Sequence, residues 1–186
     1  GKLGSYPLED LARRVRGALE DGVAEVWLSS EDTGAYGLDA NSNVGELLAR
    51  LTREVDDFAA RRGSCPTMIR LGMTNPPFIL KQLDAVARAM AHPNFYAFLH
   101  LPVQSGSDFV LGKMNREYTV ADFEAVVEGL RERTDVSFST DIICGFPGES
   151  DDDFQQTLDL VKRQRLERSC NVSQFYARPG TPAASM

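Results

Sequence analysis

The chain has 186 residues, 42% of them hydrophobic, and its 27 acidic and 20 basic residues give a formal net charge of −7. This length predicts one domain that buries about 70% of its unfolded surface. The acidic balance disfavours nucleic-acid binding by this segment alone, because phosphate neutralisation normally requires a basic surface. No apolar run reaches the roughly 20 residues of a membrane span, and no signal peptide is apparent. Three widely spaced cysteines indicate no disulfide framework, so we expect a cytoplasmic protein whose segment makes no membrane contact.

Apolar segments rich in β-branched residues alternate with segments of helical period. In chain order, the pattern predicts a helix at 8–21, a strand at 23–30, a helix at 43–61, a strand at 66–72, a helix at 77–91, a strand at 94–103, a helix at 119–133, a strand at 136–145, a helix at 151–166 and a strand at 170–177. This alternation predicts an α/β fold with parallel strands and right-handed crossovers, as an open sheet or a barrel. No strand precedes the first helix, so we expect that a first strand is missing.

Polar residues follow every predicted strand, and ligands of parallel α/β folds bind at the carboxyl ends of strands. The segments concerned are SSEDT (29–33), RLGMTNPP (70–77), HLPVQSGSD (100–108), TDIICGFPGE (140–149) and QFYARPGTP (174–182). Each also has a structural interpretation: Arg70 as an ion-pair residue of a barrel floor, Asp141 as a loop cap, and His100 as a half-buried histidine with satisfied nitrogens. Because five strand ends are polar on the same side, one shared cavity is favoured.

The residue types narrow the ligand that such a cavity suits. The sequence has no nucleophile elbow, no P-loop lysine and no cluster of metal-binding histidines. Carboxylates and hydroxyls after the first strand suit an ammonium group or ribose hydroxyls, and Arg70 suits a carboxylate. The main chain of IICGFPG suits an adenine ring. An amino acid joined to a nucleoside fits this inventory, and S-adenosylmethionine is such a molecule.

Five motifs in order, SSEDTGAYG, RLGMTNPP, HLPVQSGSDFVLGKMNREYT, TDIICGFPGESDDDFQQT and QFYARPGTPAA, resemble the radical S-adenosylmethionine methylthiotransferases over nearly the whole chain. The resemblance is to the archaeal and eukaryotic branch that modifies N6-threonylcarbamoyladenosine at tRNA position 37. The branch acting on isopentenyladenosine usually has a glutamine–asparagine version of SSEDTGAYG. One departure is Ala177, where the family often has proline.

The resemblance implies a partial (β/α) TIM-like barrel of the radical SAM type with its first strand missing. Residues 1–186 would be a fragment of the radical SAM core domain. The amino-terminal methylthiotransferase domain, the CxxxCxxC cluster loop and the carboxy-terminal RNA-binding domain would lie outside it. The implied cofactors are S-adenosylmethionine and [4Fe–4S] clusters whose ligands are not in this chain. Cys65, Cys144 and Cys170 are expected to be structural, because a strand of roughly 20 Å separates the first and third from the second.

The resemblance also implies which residues contact the cofactor. The amino-acid end would meet the loop after the first strand, the ribose or the substrate would meet the third and fourth strands, and the adenine would meet the fourth and fifth. The expected cofactor-binding residues are Ser30, Glu31, Asp32, Tyr36, Arg70, Gln104, Ser105, Asp141, Ile143, Gly145, Phe146, Tyr176 and Arg178. No general acid or base is expected among them, because radical chemistry draws its force from the cofactor.

The implied function is methylthiolation of the adenine C2 position of threonylcarbamoyladenosine, with tRNA as substrate of the full-length protein. One alternative is a sister methylthiotransferase acting on isopentenyladenosine tRNA or on a ribosomal-protein aspartate. Another is that the isolated chain is a catalytically inert nucleoside-binding or docking fragment. A sheet without its first strand is expected to expose an edge, which favours an edge-strand dimer of the fragment.

Overall fold

Five parallel strands form the scaffold of the computed structural model, which describes residues 3–185. Their bounds are β1 Glu25–Leu28, β2 Met68–Leu71, β3 Phe98–His100, β4 Ser137–Cys144 and β5 Cys170–Gln174. β1 pairs with β2, and β4 lies between β3 and β5. A single bridge between Ile69 and Phe95 joins β2 to β3, so the strands follow one another in chain order. Within residues 3–185 the strands do not close into a barrel, and β1 and β5 form the two edges.

Seven α-helices of the described chain connect and cover the strands. Their bounds are α1 Leu8–Glu20, α2 Val44–Arg62, α3 Pro76–Leu80, α4 Leu83–Met90, α5 Asp108–Lys113, α6 Val120–Arg131 and α7 Asp151–Arg163. The core lies between the helices and one face of the sheet, where Leu51, Ile69, Leu99 and Phe123 are fully buried. None of the helices in residues 3–185 is both long and apolar enough to span a bilayer.

The α/β fold with parallel strands is confirmed, β3 is much shorter than the strand predicted at 94–103, and the helices differ from the sequence prediction in two places. The helix predicted at 77–91 is two helices, because Gln82 leaves the helical backbone (φ −129°, ψ 17°) and the two parts pack in different directions. α3 packs on α6, whereas α4 also packs on α2. The sequence pattern missed α5, a helix of six residues that Ser107 caps by accepting a hydrogen bond from the Val110 amide.

The start of α7 is a capping box. The Ser150 hydroxyl accepts from the Asp153 amide, and the Asp153 carboxylate accepts from the Ser150 amide. The carboxylate of Asp153 accepts a hydrogen bond from the Ser107 hydroxyl, which is the main cause that keeps its pKa below its usual range. Two further bonds, from the hydroxyl and the amide of Ser150, lower the pKa as well. Asp153 therefore joins the start of α7 to the loop that follows β3.

Candidate active site

One face of the sheet is not covered by any helix of residues 3–185. Successive residues of a strand alternate between the two faces, and those on the helix side of β2 to β4, such as Ile69, Leu99 and Phe138, are buried. The residues that alternate with them are partly exposed. The polar and aromatic members of this second set are Glu25, Trp27, Arg70, Phe98, His100, Ser139, Asp141 and Asn171. We call the surface that they form the open face.

A hydrogen-bonded group of three side chains lies on β3, β4 and β5 of the open face. His100 Nε2 lies 3.0 Å from Asp141 Oδ2, and Asn171 Nδ2 donates to Asp141 Oδ1 at 2.9 Å. The register explains the contact: His100 pairs with Ser139, two residues before Asp141 on the same face, and Asp141 pairs with Asn171. The Asp141 carboxylate therefore fixes the orientation of a partly exposed imidazole that points to the open face.

Arg70 lies between two aromatic rings on the same face. Its guanidinium carbon is 4.9 Å from the Trp27 ring centre and 4.7 Å from the Phe98 ring centre. Within residues 3–185, no carboxylate lies within 4 Å to form an ion pair with this guanidinium. These side chains and those of Glu25 and Tyr96 line a cavity of about 370 Å³.

Glu25 is a positioned acceptor in this cavity. Its carboxylate accepts hydrogen bonds from the Tyr96 hydroxyl at 2.5 Å and from Trp27 Nε1 at 2.7 Å. The bond from Tyr96 is the main cause that lowers the pKa of Glu25, and it raises the pKa of Tyr96. The cavity therefore holds an arginine and an ionised glutamate.

The loop after β1 is tied to the loop after β2 by Asp32. The Asp32 carboxylate accepts from the Gly34 amide at 3.0 Å, the Thr74 hydroxyl at 2.9 Å, the Asn75 amide at 3.2 Å and Asn75 Nδ2 at 2.6 Å. The side chain of Asp32 therefore organises these two loops. Its neighbours Ser30 and Glu31 are exposed at the end of the strand.

Tyr36 lies on a different side of the same loop. Its hydroxyl donates to the Tyr6 carbonyl at 3.0 Å, and burial is the main cause that raises its pKa. It lines a cavity of about 350 Å³ together with Ser30, Asp32 and residues of the segment before α1. The loop after β1 thus contacts a cavity that lies toward α1.

The two predicted site residues after β3, Gln104 and Ser105, contact different elements: Gln104 contacts β4 and Ser105 contacts α7. Gln104 is buried with a left-handed φ of +72°, which is uncommon for residues other than glycine. Its amide donates to the Asp141 carbonyl at 2.8 Å and its carbonyl accepts from the Ile143 amide at 2.9 Å, so it extends the ladder along β4. The hydroxyl of the fully buried Ser105 lies 3.3 Å from the Thr157 hydroxyl of α7, and thus contacts a helix.

The predicted adenine-side residues lie at the end of β4 and in the segments that follow β4 and β5. Ile143 pairs with Ser173, and the Gly145 amide donates to Glu149 Oε2 at 2.5 Å. Phe146 is buried, and its ring packs edge-on against Phe175 at 4.8 Å between centres. Two further residues of the predicted set, Tyr176 and Arg178, are exposed after β5.

The structure brings some of the predicted residues together and separates others. Arg70 and Asp141 share the open face, and the backbone of Gln104 adjoins Asp141. Ser105 contacts α7 and Tyr36 contacts the segment before α1. Five residues of the open face and its cavity were not among the predicted site residues: Glu25, Trp27, Tyr96, Phe98 and Asn171. The signal that would have found them is the two-residue period of the strands, which places Trp27 opposite Arg70 and Asn171 opposite Asp141.

Asp32→Ala is expected to lower the free energy of unfolding by about 2 kcal/mol, because the buried Thr74 hydroxyl and the Asn75 side chain lose their charged acceptor. Urea unfolding measures the change. Asp57→Ala removes an exposed aspartate of α2 and is the control, with an expected change within about 0.5 kcal/mol. Equal effects of the two substitutions would contradict the organising role of Asp32.

The family model of the radical SAM superfamily matches residues 1–161. The chain belongs to the radical SAM superfamily. A threonylcarbamoyladenosine tRNA methylthiotransferase of Danio rerio is 53% identical to it over 187 residues, which cover 100% of this chain and 32% of that protein. The human protein of the same name is 51% identical over 187 residues, covering 100% and 31%. A probable threonylcarbamoyladenosine tRNA methylthiotransferase of Pyrococcus abyssi is 43% identical over 185 residues, covering 99% and 41%.

These similarities confirm the resemblance that the five motifs indicate. The chain spans about a third of the length of the vertebrate relatives that it matches. Among solved structures, coproporphyrinogen III oxidase of Escherichia coli, a radical SAM enzyme, superposes with a TM-score of 0.57 at 19% identity. The match covers 96% of this chain and 40% of the oxidase and supports the radical SAM fold.

Radical SAM membership implies S-adenosylmethionine and a [4Fe–4S] cluster, and the described residues fit the first of these groups. The donors and acceptors of S-adenosylmethionine match exposed groups at the end of β1, the hydroxyl of Ser30 and the carboxylate of Glu31. A cluster requires three thiolates near one centre. Within residues 3–185 no three histidine, cysteine or acidic side chains are placed to hold a metal ion. We therefore assign no cluster ligand to the described residues.

Proposed function

We propose that the full-length protein containing this chain is a tRNA-modifying methylthiotransferase that acts on N6-threonylcarbamoyladenosine at position 37, at C2 of the adenine. The observation that carries this proposal is the identity of 51–53% over the whole chain to vertebrate proteins named threonylcarbamoyladenosine tRNA methylthiotransferases. The aligned region covers the whole chain and therefore includes all five strand-end motifs, which supports a shared substrate as well as a shared fold.

In this proposal the cofactor and its cluster, when bound, supply the one-electron chemistry that activates an aromatic C–H bond. The residues of this chain bind and orient the cofactor and the substrate nucleoside, and they exclude water from both. Ser30 and Glu31 meet the amino-acid end of S-adenosylmethionine, and the turn at Ile143, Gly145 and Phe146 borders its adenine. The open face, with His100 held by Asp141, then forms the wall that the substrate nucleoside meets.

Deletion of the gene is expected to remove methylthio-threonylcarbamoyladenosine from total tRNA and to leave threonylcarbamoyladenosine in its place. Mass spectrometry of nucleosides from tRNA hydrolysates measures both. Complementation with the wild-type gene is the control, and methylthio-isopentenyladenosine, in a host that makes it, is expected to stay unchanged.

Two results would contradict the proposal. An unchanged level of methylthio-threonylcarbamoyladenosine in the deletion strain would show that this protein does not make the modification. Loss of methylthio-isopentenyladenosine, or of methylthiolation on a ribosomal protein, would instead identify a sister enzyme.

A further inference from the structure

The cavity around Arg70 is a part of the open face to which the proposed function assigns no particular group of the substrate. Trp27 lines both this cavity and the cavity that includes Ser30 and Asp32, so the two cavities are neighbours along β1. Arg70 pairs with Trp27, and Trp27 precedes Glu31 by four residues, at most about 13 Å of chain. The other side chains of the cavity come from the beginnings of strands: Glu25 is the first residue of β1 and Phe98 the first of β3. The cavity therefore lies toward the amino ends of the strands, below the expected cofactor position.

The chemistry of the cavity favours an organic carboxylate. Two rings at 4.9 and 4.7 Å restrict the Arg70 guanidinium, and within residues 3–185 it forms no ion pair. A planar guanidinium held in this way presents paired N–H donors that match a carboxylate bidentately. A partly exposed guanidinium on an open surface would gain little specificity, whereas aromatic walls on both sides orient the donors before a ligand arrives.

Glu25 restricts the class of ligand further. Its carboxylate is held by Tyr96 and Trp27 and would repel a simple anion. It would stabilise a ligand that carries a hydroxyl or N–H donor beside its carboxylate. The cavity of about 370 Å³ has room for a chemical group that carries both a carboxylate and such a donor. The expected ligand therefore combines one carboxylate with hydrogen-bond donors a few bonds away.

We propose that this cavity recognises the threonylcarbamoyl substituent of the substrate nucleoside, with Arg70 binding its carboxylate and Glu25 accepting from its hydroxyl or N–H groups. The proposal rests on the proposed function, because it takes the substrate from it. A threonylcarbamoyl group carries a carboxylate, a hydroxyl and urea N–H groups, whereas an isopentenyl group carries none of them. Arg70 would then be a specificity-determining residue, and the open face would read the substituent while the strand ends hold the cofactor.

The test uses the full-length protein and anticodon stem-loop RNAs that differ only at position 37, with threonylcarbamoyladenosine, its carboxamide analogue or plain adenosine. Fluorescence anisotropy measures the affinity for each RNA, and equilibrium dialysis measures the affinity for S-adenosylmethionine. Arg70→Gln is expected to reduce the preference for the threonylcarbamoyl RNA over adenosine RNA by about 10- to 100-fold, since hydrogen bonds to charged groups are lost. Its affinity for S-adenosylmethionine is expected to stay within about twofold.

Three variants and one analogue make the result specific. Arg70→Lys keeps the charge without the planar fork and is expected to retain part of the preference. Arg61→Gln, an exposed arginine of α2 paired with Glu20, is the matched control and is expected to leave every affinity unchanged. Glu25→Gln is expected to lower the affinity for the threonylcarbamoyl RNA more than the affinity for adenosine RNA. With the wild-type protein, the carboxamide analogue is expected to bind as weakly as adenosine RNA.

The alternative assignment of Arg70 to the carboxylate of S-adenosylmethionine predicts the opposite pattern. An Arg70→Gln protein that loses affinity for the cofactor and keeps its preference among the RNAs would overturn the inference, as would equal binding of all three RNAs by the wild-type protein. Failure of the proposed function has a separate signature: wild-type protein with a reconstituted cluster would leave the threonylcarbamoyl RNA without a methylthio group. A wild-type protein that prefers this RNA and modifies it, with the preference lost in Arg70→Gln, supports both proposals.

Discussion

Gly106→Ala is expected to lower the free energy of unfolding by about 3 kcal/mol, although it adds a single methyl group to a loop. A Cβ atom at Gly106 would lie 2.5 Å from Thr157 Cα, 2.6 Å from the Gln156 carbonyl oxygen and 2.7 Å from the Thr157 amide nitrogen. These are backbone atoms of α7, so no side-chain rotation can relieve the overlap. The loop or the helix must shift, which would break the 2.8 Å bond from the Gly106 amide to the Thr157 hydroxyl. Urea unfolding measures the loss.

Gly112→Ala is the matched control for this substitution. Gly112 is exposed in α5, and an added Cβ would meet no atom within 4 Å. Because alanine has a higher helix propensity than glycine, the free energy of unfolding of this variant is expected to rise by up to about 1 kcal/mol. A Gly106→Ala protein as stable as the wild type would show that the loop after β3 does not depend on its contact with α7.

This loop shows where sequence reasoning about the site reached its limit. The polarity of QSGSD predicts ligand contacts, and the hydroxyls of Ser105 and Ser107 are in fact bonded to Thr157 and Asp153 of α7, about fifty residues away. Serine hydroxyls serve ligands and helix starts equally well, and residue type alone cannot separate the two uses. The distinction requires the packing of α7 on the loop, which the local pattern does not contain.

The strands were predictable in number, order and direction, because apolar runs alternate with helical periods along most of the chain. The register between neighbouring strands was not predictable from this pattern. The contact of His100 with Asp141 depends on a two-residue offset between β3 and β4, and the depth of Arg70 on the open face depends on where β1 begins. Both properties follow from tertiary packing and the tilt of neighbouring strands, so the sequence pattern did not indicate which side chains contact one another on the open face.

Glu54→Ala is expected to lower the free energy of unfolding by about 3–4 kcal/mol, because Glu54 is the buried centre of a charge network between α1 and α2. Its side chain is 5% exposed. It accepts from Arg16 Nε at 2.8 Å and Arg16 Nη2 at 2.6 Å, and it contacts Arg50, whose side chain is 16% exposed. Removing the carboxylate leaves the Arg50 guanidinium mostly buried with Glu9 as its remaining acidic partner. Urea unfolding at pH 7 measures the loss.

The pH dependence of Glu54→Gln distinguishes the charge network from packing. The hydrogen bonds from Arg16 are the main cause that lowers the pKa of Glu54 in the folded state, and Arg50 adds to it. A lowered folded-state pKa stabilises the fold above the ordinary glutamate pKa of about 4.3, and this contribution is lost as the pH falls through the folded-state value. The difference in the free energy of unfolding between wild type and Glu54→Gln is therefore expected to be largest near neutral pH and to shrink below about pH 4.

Glu20→Gln, which removes an exposed partner of Arg61 and Arg62, is the control and is expected to lower the free energy of unfolding by less than about 1 kcal/mol at neutral pH. A difference for Glu54→Gln that stays constant from pH 7 to pH 3 would show that the side chain stabilises the helix pair by packing alone.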